Sequence, residues 1–139
     1  MLCFGSILGY TINTCKTIEA QDELLLNGQY AVEYIRREIR SADKIIDINL
    51  DIFHKIVEDY SDNIGFVIMN YNPKASERYN YSTYYLKDNK IYRIATNRDI
   101  EEYPRGEAFS GHNEVAEFVT SIEGTGIDFE TKLINLSIT

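Results

Sequence analysis

The chain is poor in the residues that define several protein classes. It has no tryptophan, two cysteines, two prolines, two methionines and two histidines in 139 residues. Two cysteines exclude a small disulfide-framed scaffold. Scarce proline, with plentiful isoleucine, tyrosine and phenylalanine, argues against disorder. Cations are also in the minority: Lys plus Arg number 14 against 22 Asp plus Glu, a formal charge of −8. Such a chain repels phosphates at long range, so no direct nucleic-acid partner is expected. What remains, 44% hydrophobic and 26% charged residues, is the make-up of one folded domain.

Catalytic signatures are missing too. His54 and His112 are the only histidines, and neither sits in a metalloprotease-type motif. There is no GxSxG, P-loop or GxGxxG. The carboxylates near Asp59, Asp62 and Asn63 do not follow an EF-hand spacing. The expectation is therefore no enzyme, no catalytic or metal-binding residue and no cofactor.

The first fifteen residues carry no charge; the first is Lys16. An apolar run of this length is too short to span a bilayer as a helix, which takes about 20 residues. Nor does it read as a secretory signal peptide, because no basic region precedes it. One reading is the outer half of a membrane helix whose inner half lies upstream of Met1. The other is a buried terminal strand or helix of a soluble domain. On the membrane reading, Leu2, Phe4, Gly5, Ile7, Leu8, Gly9 and Ile12 pack against lipid or neighbouring subunits. Gly5 and Gly9 have the small-xxx-small spacing suited to helix contact. In a helix, Cys3 and Cys15 stand about 18 Å apart and cannot bond.

From Ile18 to Ile46 the pattern is helical. Leu24, Gly28, Ala31, Ile35, Ile39, Ala42 and Ile46 fall on one stripe, with Gln29, Glu33, Arg36, Arg37 and Arg40 opposite. The stripe is expected to be the helix-to-sheet core. Glu38 lies on its flank, either snorkelling to water or pairing across a subunit contact. Arg36, Arg37 and Arg40 make a small basic patch, either a solvated helix face or a site for an acidic partner. Run back through Met1, the helix becomes a rod of about 45 residues, near 70 Å long.

The remainder reads as a sheet. Ile64–Tyr71 is a dense β run ended by Asn72-Pro73. Tyr79–Leu86 and Ile91–Ala95 flank a two-residue turn at Asp88-Asn89, which pairs Tyr85 with Tyr92 and Tyr84 with Arg93. Tyr81, Thr83, Tyr85, Tyr92 and Ile94 then share one face. Val115, Phe118, Val119 and Ile122 have helical spacing, and Leu133–Ile138 alternates as a last strand.

Three features coincide: the apolar start, the helix stretch Gly28–Ile45 (GQYAVEYIRREIRSADKI) and the hairpin Thr83–Ala95 (TYYLKDNKIYRIA). Together they resemble the type IV pilin-like proteins, in particular minor pilins or pseudopilins of the PilW, ComGF and GspJ kind. The resemblance implies an α+β fold, a long N-terminal α-helix packed on an antiparallel β-sheet head. Residues 1–22 would be the hydrophobic helix segment and 23–139 the globular head. It implies a non-enzymatic subunit of a type IV pilus, competence pseudopilus or secretion filament, which helps initiate or tune assembly. The implied partners are other pilin or pseudopilin subunits and, through the complete N-terminal helix, the inner or cytoplasmic membrane. The full-length form would cross that membrane once, with its head outside the cytoplasm or in an extracellular filament. The leader, cleavage glycine and early glutamate of that family are missing from this sequence, so a truncated start is expected. The alternative is a soluble binding module with a tyrosine-rich sheet surface.

Overall fold

A computed structural model describes residues 2–7, 9–16 and 22–139. The chain begins with a hairpin, β1 (Leu2–Ile7) and β2 (Tyr10–Lys16), and continues into helix α1 (Asp22–Arg40). Then come β3 (Lys44–Asp47), the short helix α2 (His54–Asp59), β4 (Phe66–Tyr71), β5 (Tyr79–Lys87) and β6 (Lys90–Arg98). β7 (Gly111–Ala116), β8 (Gly126–Asp128) and β9 (Leu133–Ile138) complete it. One sheet has the order β1-β2-β9-β8 and the other is an antiparallel meander, β3-β4-β5-β6-β7.

This corrects the expected architecture. Among the described residues the fold is mostly β, and no long N-terminal helix packs on a single sheet. The start is a hairpin whose connection contains Gly9 at φ +78, a conformation that no helix accommodates. Leu2, Phe4, Gly5 and Ile7 lie on β1 and Ile12 on β2; Leu8 falls outside the described residues. β2 runs parallel to β9, with Ile12 opposite Ile134, so a partner more than a hundred residues away decides its state. Thr11, Ile12 and Thr14 are β-branched and suit that pairing. The hairpin sets Cys3 opposite Thr14 and Cys15 opposite Leu2, which replaces the separation expected along a helix.

α1 also stops earlier than its stripe suggests. It ends at Arg40, and Lys44–Asp47 pairs antiparallel with β4. Ile45 and Ile46 therefore point to opposite faces of a strand, where both are buried. The helix expected at Val115–Ile122 is absent: Val115 and Ala116 finish β7, and Phe118 at φ +61 breaks any helical continuation.

The five-stranded sheet is covered on both faces. On one, Ala31, Val32, Ile35 and Ile39 of α1 share a core with Ile68, Tyr84 and Ile91. Ile12, Ile134, Leu136 and Ile138 of the other sheet belong to the same core, so α1 packs with both sheets. On the other face, Val67, Met69, Tyr81, Tyr85 and Ile94 pack under Phe53, Ile56 and Phe109. Each fully buried large apolar side chain is worth roughly 1.5–3 kcal/mol.

Candidate functional site

The most specific polar arrangement sits where α1 meets the sheet. Glu38 projects from the last turns of α1, and Arg93 stands on the sheet face that also carries Tyr84 and Ile91. Arg93 Nε donates to Glu38 Oε2 at 2.9 Å and to Oε1 at 3.1 Å. The hydroxyl of buried Ser82 donates to Glu38 Oε1. Arg93 Nη2 donates to Asn80 Oδ1 at 3.0 Å, and Asn80 Nδ2 donates to Asn97 Oδ1 at 2.9 Å. A charged pair so shielded persists only when its hydrogen bonds are filled, and these are. Burial opposes the Arg93 charge, but the Glu38 carboxylate outweighs it and holds the guanidinium above its ordinary pKa.

Tyr84 lies beside the pair. Its hydroxyl is buried without a hydrogen-bond partner among the described residues. Burial, then the neighbouring Glu38 charge, pushes the phenol well up. Outside it, Tyr34 meets Tyr84 edge-on at 6.1 Å and Tyr30 at 6.0 Å. Tyr34, Arg37, Glu38 and Ser41 line a groove of about 280 Å³ along the flank where α1 meets the sheet.

On the other face of the sheet the tyrosines stack on one another. Tyr85 lies between Tyr60, at 4.0 Å, and Tyr92, at 5.3 Å, and its hydroxyl is 3.0 Å from His112 Nδ1. Burial, with Tyr60 and Tyr92 alongside, pushes Tyr85 up to about 12. Tyr81 and Tyr85 are buried. These rings are core material more than a reading surface.

Of the expected helix-to-sheet residues, Ala31, Ile35, Ile39 and Ala42 come together in one core. Ile46 belongs to the core on the opposite face. The side chains of Leu24 and Gly28 are outside the described residues. The two histidines stay apart, His112 on Tyr85 and His54 on the Asp51 carbonyl at 2.9 Å. No group of three His, Cys, Asp or Glu side chains able to hold a metal occurs among the described residues. No described helix is long and apolar enough to cross a membrane.

Sequence reasoning placed Glu38 on the flank of the stripe without finding its partner. A signal existed. Arg93 is the lone cation on a strand face otherwise carrying Tyr84, Leu86 and Ile91, and a buried cation needs an anion. Glu38 is the one carboxylate beside the apolar stripe of the helix covering that face. Tyr30 and Tyr34, off the stripe, carried no comparable signal.

No protein-family model, curated protein or solved structure matches the chain.

Proposed function

We propose that the chain is a non-enzymatic subunit of a pilin- or pseudopilin-type filament, of the minor kind that helps start or tune assembly. One observation carries the reading. The stretches that bear the resemblance, Gly28–Ile45 and Thr83–Ala95, are bound to each other through Glu38 and Arg93. Two matching segments far apart in sequence thus form one structural unit. The proposal makes no use of a helical N-terminal segment, which the β1–β2 hairpin replaces.

In this reading the partners are other pilin or pseudopilin subunits, and the head lies outside the cytoplasm. The tyrosine-rich binding module is less favoured, because Tyr81, Tyr84 and Tyr85 are buried against their neighbours.

The test is fractionation of source cells with an antibody to the chain, combined with a photo-crosslinker at position 100 in place of exposed Ile100. The expected result is recovery in membrane and sheared-filament fractions, crosslinked to a subunit with a prepilin-type start. Recovery only in the soluble fraction, without such a crosslink, overturns the reading.

A further inference from the structure

The side of α1 that carries Tyr30 and Arg37 is exposed among the described residues. Tyr30 is 58% exposed, the most exposed large hydrophobic residue described. Tyr30, Tyr34, Arg37 and Ser41 follow the 4, 3, 4 spacing of one helix face. Arg37 and Arg40 are exposed and make no ion pair among the described residues, whereas Arg36 has Glu33 and Arg93 has Glu38. Tyrosine and arginine around a groove are the residue types that dominate protein contacts.

The same chain carries a surface of the complementary kind. Between Asp47 and Asp62 there are five carboxylates, Asp47, Asp51, Glu58, Asp59 and Asp62, against one cation, Lys55. Lys55 is taken up by Glu58 and Asp59, which leaves Asp51 and Asp62 exposed without an ion pair among the described residues. Leu50, 42% exposed, stands next to Asp51. Leu50 beside the free Asp51 carboxylate matches a groove flanked by tyrosine and free arginine.

These two surfaces cannot meet within one molecule. α1 packs on the sheet face of Ile68 and Tyr84, and the 47–62 segment packs through Ile48, Phe53 and Ile56 on the face of Val67 and Tyr81. A contact between them joins different patches on two copies, so it is head-to-tail and repeats. We propose that the exposed flank of α1, from Tyr30 to Ser41, is a docking surface for a second copy of this chain, which presents its Leu50–Asp51 segment to Tyr34 and Arg37. The proposal deepens the filament reading by naming the neighbour, and it rests on that reading for its use in the cell.

Sedimentation of the purified 139-residue chain tests it, and does so independently of cell fractionation. At about 50 mM salt the average mass rises with concentration past that of a dimer, and about 0.5 M salt suppresses the rise. Arg37→Glu with Arg40→Glu, or Asp51→Lys, weakens association by about tenfold or more. Mixing the two reversed chains restores association in alternation, because both junctions then join opposite charges. Melting curves check that each variant folds; Tyr30→Ser with Arg37→Ala reads the same surface if a reversal does not. A wild-type chain that stays monomeric or stops at a closed dimer overturns the proposal. So does association that survives charge reversal, or a mixture of reversed chains that fails to associate.

Discussion

Arg93 Nε donates to Glu38 Oε2 at 2.9 Å across 55 residues of sequence, tying α1 to the middle of the β5–β6 hairpin. Both side chains are about 15% exposed, with values of 15% and 14%. The pair is shielded enough that neither charge is comfortable alone.

Removing one partner should therefore cost more than removing both. Glu38→Gln leaves Arg93 charged, largely shielded from water and short of an anion, and should destabilise by about 3 kcal/mol. Glu38→Met with Arg93→Met should cost less than the single change, because no buried charge is stranded. Urea unfolding of the two variants gives the comparison. A double variant weaker than the single one would show that packing, not charge, dominates there.

Alkaline stability follows from the buried tyrosines. Tyrosine ordinarily ionises near pH 10. Burial, reinforced by Glu101, pushes Tyr81 up to about 12, and Tyr85 reaches about 12 as well. Between those values the folded chain keeps protons that the unfolded chain has lost. Stability is therefore flat with respect to these groups below about pH 10 and falls as pH rises toward 12. Phenolate absorbance during a pH titration should show Tyr81, Tyr84 and Tyr85 ionising after the exposed rings, with unfolding on the same ramp.

The Asp88-Asn89 turn offers a gain. Both residues have positive φ, 52° and 62°, the geometry of a two-residue turn of type I′. Asn tolerates this region, but Gly adopts it without a Cβ penalty. Asn89→Gly should raise stability by about 0.5 kcal/mol and Asp88→Val should lower it by about 1–2 kcal/mol. Thermal melts would reveal the opposite ordering if the turn were not the stiff point of the hairpin.

Gly106 is a tighter constraint. A Cβ there would stand 3.1 Å from the Ile56 backbone nitrogen and 3.1 Å from the Lys55 Cβ. Neither neighbour is a flexible side-chain end, so the 106–108 turn and α2 must shift apart by a few tenths of an ångström. Gly106→Ala should cost about 1–3 kcal/mol. It should loosen the layer of Phe53 and Phe109, whose rings meet edge-on at 6.1 Å, and near-ultraviolet circular dichroism would register that change.

Local chemistry made part of this fold legible. Asp88-Asn89 fixes the hairpin register by itself: Tyr85 faces Tyr92, Tyr84 faces Arg93, and Leu86 faces Ile91. Period-2 alternation in Leu133–Ile138 likewise sends Ile134, Leu136 and Ile138 inward. The centre of α1 is written in the spacing of Ala31, Ile35 and Ile39. These features depend on neighbours within a few residues, and a sequence states such neighbours directly.

Other features were settled only by tertiary contacts. The apolar start is compatible with a helix or a strand. Pairing with β9 decides for the strand, because exposed sheet-edge backbone groups gain hydrogen bonds there that no local pattern reveals. Ile46 fits the helical stripe, yet it lies in β3 because β4 offers Lys44–Asp47 a ladder. Glu38 could have reached water. It turns inward because Arg93, placed by the register of another hairpin, needs an anion where water is excluded. Composition and spacing decided which side chains wanted burial; the arrangement of the sheets decided which of them met.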